Sequence, residues 1–314
     1  MDYDVIIIGG GPAGLTAALY SSRARLKTLL IESLSVPGQA IITDSIENYP
    51  GFPEGINGFE LMQRFKKQGE NFGAEIINGD VKRIDSYKEG PSKGWKIETK
   101  DKTYSSLSVI IATGARPKKI DVPGEEGLQG KGISYCATCD GAIYKDKEVV
   151  LVGGGDAAIE EALFLTRFVK RVILIHRKSR LRATRILQER AFTNKKIEFM
   201  WGSELVEIMG KDRVRGVKVK DVKTRKEKEI PCEGVFIFVG YLPNTDFIKN
   251  LVKLDKAGYI ITDDKMNTSS KGILACGDCR EKILRQVITA SGDGATASFS
   301  AQKYVEEKKG IAYK

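Results

Sequence analysis

Residues 4–14 read Asp4-Val5-Ile6-Ile7-Ile8-Gly9-Gly10-Gly11-Pro12-Ala13-Gly14. The first part is a β-branched, apolar run without alternation, as a parallel strand covered on both faces requires. The glycines follow at once, and Ala13–Ser22 reads as a helix. Thr28–Ile31 is a second strand, closed by Glu32, near the ~20-residue spacing at which an acid meets a ribose. Together these form the βαβ dinucleotide fingerprint. Gly9 permits the tight turn, Gly11 admits a pyrophosphate, and Gly14 lets helix and strand pack closely. Pro12 and Ala13 open the helix, whose N-terminus favours phosphate charge. Glu32 accepts hydrogen bonds from a ribose diol, which selects an adenosine without a 2′-phosphate.

The pattern recurs downstream with one change. Glu148–Val152 reads as a strand, Gly153-Gly154-Gly155-Asp156-Ala157-Ala158 fits G-x-G-x-x-A, and Ile159–Phe168 reads as a helix. The strand Val172–Ile175 ends not on an acid but on His176-Arg177-Lys178, with Arg182 shortly after. Cations there can pair a 2′-phosphate, which points to NADP. The alternative is a solvated basic helix start, and placement at the end of the second strand favours the ligand. His176, the only histidine, is assigned to this site and not to catalysis.

Between the two loops lies Ser134-Tyr135-Cys136-Ala137-Thr138-Cys139-Asp140-Gly141. Cysteines at this spacing can close and reopen a small disulfide ring. A redox-capable pair between two dinucleotide sites reads as a flavin enzyme moving electrons from a nicotinamide to a disulfide. Asp140 has two readings, a proton donor or an Asp-Gly turn. Pro37-Gly38-Gln39 and Glu47-Asn48-Tyr49-Pro50-Gly51 are either cofactor-lining loops or ordinary surface loops. Gly58–Phe72 reads as an amphipathic helix and Val109–Thr113 as a strand. Gly272–Cys276 is a last strand before Gly277-Asp278, whose carboxylate suits a polyol such as a ribityl chain or an Asp turn. Leu284-Arg285-Gln286-Val287 follows, then a small-residue helix from Asp293.

The chain of 314 residues has room for two domains. Its 41% hydrophobic and 29% charged residues are those of a soluble globular protein. Val5–Tyr20 is broken by glycines and lacks a basic leader, so neither a signal peptide nor a membrane span is expected, and the cytoplasm is the expected location. A net charge of +10 spread over scattered lysines, without a basic-aromatic module, points away from nucleic acid. Of five cysteines, four fall in two C-x-x-C pairs, which in a reducing compartment suggests redox work or metal binding. A four-sulfur zinc site from Cys136, Cys139, Cys276 and Cys279 is disfavoured because both pairs sit inside other motifs. Cys232 reads as a small buried hydrophobe.

GGGPAGL, CATCDGA, GGGDAAIEEALFLTR, HRKSRLRA and the closing GDCREKILRQVITASGDGATA resemble, in this order and over nearly the whole chain, the low-molecular-weight thioredoxin reductases. The resemblance implies an α/β protein of two Rossmann-like dinucleotide-binding domains, with an NADPH domain (117–244) inserted into an FAD domain (1–116 and 245–314). It implies a homodimer that reduces thioredoxin. By the same resemblance Cys136 attacks the protein substrate, Cys139 faces the flavin and Asp140 protonates a leaving thiolate. FAD contacts fall on Gly11, Gly14, Glu32, Gln39, Asn48, Asp278, Arg285, Gln286 and Val287, with Gly38 and Gly277 beside them. NADPH contacts fall on Gly155, Arg177, Lys178 and Arg182. The family's usual Arg-Arg pair is Arg177-Lys178 here, which keeps the charge but loses a bidentate fork. Because the redox pair and the nicotinamide site share one inserted segment, the two domains are expected to swing between alternate docked states, hinged near Arg116-Pro117 and Pro243-Asn244. The rival readings are a related flavoprotein with another electron donor, and a flavin- or zinc-binding module without turnover.

Overall fold

The computed structural model describes residues 1–33, 38–43, 46–89 and 92–312; Pro37, in one of the loops singled out above, lies outside them. Two compact units result, Met1–Arg116 with Leu242–Lys314, and Pro117–Tyr241.

Unit 1 begins with β1 (Tyr3–Ile8), α1 (Pro12–Arg23), β2 (Thr28–Glu32), α2 (Gly58–Asn71) and β3 (Glu75–Asn78). An antiparallel stretch follows: β4 (Val81–Glu89), β5 (Ser92–Thr99) and β6 (Thr103–Ile111). The sheet order is β3-β2-β1-β6-β5-β4. Val5–Ile8 are buried, as their unbroken apolar run requires. β1 pairs in parallel with β2 on one side and β6 on the other, so the strand order reverses at β1. Ligand crevices open at the carboxyl ends of strands at such a point, and there the first glycine loop begins. The strand expected at Val109–Thr113 is the end of the longer β6, which stops at Ile111.

The chain leaves through β7 (Ala115–Pro117) and enters unit 2 at β8 (Ile133–Ser134), α3 (Ala137–Asp140) and β9 (Glu148–Gly153). Then come α4 (Asp156–Leu165), β10 (Arg171–His176), α5 (Arg185–Thr193) and β11 (Ile197–Trp201). A three-stranded antiparallel sheet, β12 (Ser203–Gly210), β13 (Val214–Asp221) and β14 (Glu227–Pro231), precedes β15 (Gly234–Phe238). The main sheet is parallel, β11-β10-β9-β15-β8, and again reverses at the strand feeding a glycine loop. The helix after that loop starts at Asp156, earlier than the expected Ile159, and stops at Leu165. Cys232 is buried in the core against this sheet, and burial pushes its thiol up to about 12.

β16 (Tyr241–Pro243) returns the chain to unit 1 and pairs with β7. Arg116 donates to the Pro243 carbonyl (3.4 Å) and the Asn244 side chain (3.0 Å), and meets Asp246 at 3.2 Å. β17 (Ile273–Ala275) then pairs with the inner half of β6, and α6 (Val287–Lys309) packs on α1. This last helix begins at Val287 and not at Asp293. A capping box closes its first turn, with Gln286 N–H donating to Thr289 Oγ1 at 3.2 Å. The glycines and serines of this helix hide its start from propensity. Among the described residues no helix is long and apolar enough to cross a membrane.

Candidate cofactor and redox sites

In unit 1 the glycine loop is fixed by contact and by backbone angle. Gly9 has φ +116°, and a Cβ there would lie 2.3 Å from the Ala112 carbonyl oxygen. A Cβ at Gly14 would lie 1.9 Å from the Gly9 oxygen, whereas one at Gly11 would meet nothing within 4 Å. The first two therefore serve packing, and Gly11 faces open space. That space is a cavity of ≈ 560 Å³ bordered by Gly9, Gly11, Pro12, Ala13, Glu32, Gly38, Gln39, Gly277, Asp278, Arg285, Gln286 and Val287. Its size is that of a cofactor site.

Glu32 borders the cavity, but its carboxylate is also held by Lys66 of α2 at 2.6 Å. Asn48 does not border the cavity; its Nδ2 donates to Gln286 Oε1 at 3.0 Å and steadies that residue. The far wall shows what a ligand would satisfy. Asp278 Oδ1 and Arg285 Nε are buried and have no hydrogen-bond partner among the described residues. Burial raises the Asp278 pKa, opposed by the charges of Lys282 and Arg285. The Arg285 guanidinium lies 4.2 Å over the Tyr259 ring. Buried polar atoms rarely go unpaired; two such atoms beside the cavity are what a polyol ligand's hydroxyls could satisfy, and the residues present fit FAD.

Cys276 and Cys279 are fully buried and free. Cys276 packs into the core on the α1 and α6 side, Cys279 into the core beyond the opposite face of the sheet. Cys279 Sγ donates to the carbonyls of Ile111 (3.5 Å) and Cys276 (3.3 Å), and burial pushes its thiol up to about 11. Both thiols are thus packed into the core.

In unit 2 a Cβ at Gly153 would meet the Ala158 Cβ at 2.6 Å, while Gly155 is open. His176 is buried beneath the loop: a Cβ at Gly154 would lie 2.4 Å from its ring. Its Nε2 lies 3.1 Å from the Arg180 carbonyl, and burial lowers its pKa, aided by the charges of Arg182 and Arg177. The histidine therefore supports the loop from below. Arg182 N–H donates to the Gly154 carbonyl at 2.7 Å, and Asp156 Oδ1 accepts from Thr184 N–H at 2.6 Å. Ala157 lies in the first turn of α4. These bonds hold the basic segment at the carboxyl end of β10. Arg177, Lys178 and Arg182 themselves are exposed, and none forms an ion pair among the described residues.

Cys136 and Cys139 are joined by a disulfide, with Cα atoms 5.3 Å apart. Cys136 is half-buried and Cys139 exposed, and Asp140 follows at the end of α3. The approach to the pair is tightly held. Ser134 Oγ bonds both the Cys136 N–H and its carbonyl at 3.0 Å, and Ala137 N–H donates to Glu161 Oε2 at 2.8 Å. The buried Glu125 accepts from the Tyr135 hydroxyl and the Asp121 N–H, both at 2.6 Å. Lys66, Glu125 and Glu161 were not anticipated from sequence. Each lies beside a like-charged neighbour (Lys67, Glu126 and Glu160), and no spacing tells which of the two is used or announces its partner.

A model of the pyridine nucleotide-disulphide oxidoreductases matches residues 3–294. The chain is 50% identical over 307 residues to a Bacillus subtilis protein named thioredoxin reductase, covering 97% of this chain and 95% of that one. A Listeria monocytogenes thioredoxin reductase is 48% identical over 308 residues, covering 98% and 95%. Among solved structures, Lactococcus lactis thioredoxin reductase in its FR conformation matches with a TM-score of 0.93 and 47% identity, over 97% of this chain and 99% of that one.

Proposed function

Because the chain belongs to the pyridine nucleotide-disulphide oxidoreductase family, we propose that it works as a thioredoxin reductase, using NADPH and FAD to reduce thioredoxin through Cys136 and Cys139. The observation that carries the reading is the closed, partly exposed Cys136–Cys139 bond, lying in the same unit as a second nucleotide loop flanked by exposed cations.

Unit 1 holds FAD. Gly11 and the N-terminus of α1 receive the pyrophosphate, Glu32 the ribose, and Asp278 the ribityl hydroxyls. FAD supplies the relay that turns a two-electron hydride donor into a reductant for a disulfide. Unit 2 holds NADPH, with Gly155 on its pyrophosphate and Arg177, Lys178 and Arg182 on its 2′-phosphate. Those exposed cations favour NADPH over another donor.

Once the pair is reduced, the Cys136 thiolate attacks one sulfur of the thioredoxin disulfide, and the other thioredoxin sulfur leaves as a thiolate. Asp140 supplies a proton to that thiolate. Cys139 then attacks Cys136 Sγ, re-forming the internal bond and releasing the second thioredoxin sulfur. Since one FAD serves both the nicotinamide and the disulfide, units 1 and 2 swing about the two passages between them, at Arg116–Pro117 and Tyr241–Leu242. The working form is a homodimer in the reducing cytoplasm. Ile283, Leu284, Ile288 and Phe299, exposed in unit 1, suit burial against a second copy. The test is NADPH-driven reduction of thioredoxin disulfide: stoichiometric reduction supports the reading, and a flavin-loaded protein that oxidises NADPH without opening thioredoxin refutes it.

A further inference from the structure

Behind Asp278 lies a second carboxylate that does not border the cavity. Asp293, in α6, accepts from the Gly277 N–H (3.1 Å), from Lys282 Nζ (2.7 Å) and from Arg280 Nη1 (3.3 Å). All three side chains are nearly buried, at 12%, 8% and 14% exposure. Arg280 is further held by Thr262, with Nε donating to Oγ1 at 2.8 Å. Asp293, Lys282 and Arg280 do not border the cavity, whereas Gly277 and Asp278 do. Gly277 is in the left-handed region (φ +74°), with Ala13 pressed against it. The turn that presents Asp278 is thus pinned from behind.

We propose that Asp293 is a positioning residue for the flavin site: it fixes the Gly277–Asp278 turn and keeps the Lys282 ammonium engaged, so that the Asp278 carboxylate stays free for a cofactor hydroxyl. This rests on the assignment of the unit 1 cavity to FAD. A buried ammonium that loses its partner must find another or give up its charge. The nearby carboxylate with an unused acceptor is Asp278, on which the Lys282 charge already acts. Without Asp293, Lys282 turns to Asp278 and removes the acceptor that the cavity offers.

Flavin-free full-length protein separates this role from mere scaffolding, titrated with FAD and, separately, with ADP, which lacks the ribityl chain. Asp293→Asn is expected to weaken FAD about tenfold while ADP stays within about twofold. Adding Lys282→Met removes the competing ammonium and should bring FAD back to within about threefold of the parent. In an Asp278→Asn background, Asp293→Asn should cost no further FAD affinity, since its target is gone. Equal losses for FAD and ADP, no recovery with Lys282→Met, or full additivity with Asp278→Asn overturns the proposal. If Asp293→Asn alone does not fold, the charge-neutral Asp293→Asn with Lys282→Met decides, and FAD tenfold weaker than in the parent refutes it. A parent protein that binds ADP but no FAD overturns the cavity assignment itself and the proposal with it.

Discussion

Single residues in this protein are held in states that suit chemistry better than stability. Asp278 is a buried carboxyl whose pKa burial has raised. The folded flavin-free protein therefore binds that proton more tightly than the unfolded chain does, and its stability falls as pH rises from the unfolded value through the folded one. Asp278→Asn removes this loss. Flavin-free Asp278→Asn should melt about 2–4 °C higher at neutral pH, with the gap closing in acid, while FAD affinity drops; a lower melting point would contradict the account. The thiols divide in the same way. With Cys276 pushed well above the usual range and Cys279 and Cys232 at about 11 and about 12, thiolate is scarce at pH 8. An alkylating reagent should label no cysteine of the oxidised native protein, and Cys136 and Cys139 alone after reduction. Cys136→Ser should leave the Cys139 thiolate beside oxidised flavin, with a new long-wavelength absorbance band; its absence from a folded, FAD-loaded variant would reverse the two cysteines' roles.

At the scale of elements, each βαβ unit is a strand, a glycine loop and a helix whose next strand ends in a choice of charge. β2 ends on Glu32, whereas β10 ends on His176 and runs straight into the basic Arg177-Lys178. Arg177→Ala with Arg182→Ala should raise KM for NADPH tenfold or more, about 1.4 kcal/mol of lost phosphate pairing, and leave KM for NADH nearly unchanged. Equal effects would remove the 2′-phosphate argument. These elements were legible because local chemistry defines them: glycine where a Cβ collides, as at Gly14, and unbroken β-branched runs in buried strands. The start of α6 was not legible, because a Gln286–Thr289 capping box and a glycine-rich first half carry little helix propensity. Nor was the duty of His176, which reads as a ligand beside Arg177 yet sits beneath Gly154. Lys66, Glu125, Glu161 and Asp293 share this opacity. What each does is set by a partner far along the chain or across a turn, and no local pattern encodes it.

For the whole molecule, the two glycine loops lie in separate compact units joined by β7 and β16. A covalent tether between the units should stop steady-state turnover while sparing one half-reaction; undiminished turnover would remove the swing. If the protein works as proposed, electrons from NADPH end on one pair of sulfurs. The decisive experiment mixes the FAD-loaded protein, without oxygen or thioredoxin, with NADPH in slight excess over the flavin and disulfide together, quenches with an alkylating reagent and weighs the peptides. The expected result is label on Cys136 and Cys139 together and none on Cys232, Cys276 or Cys279. NADPH consumed with Cys136 and Cys139 still joined, or label on the Cys276 and Cys279 pair instead, would contradict it.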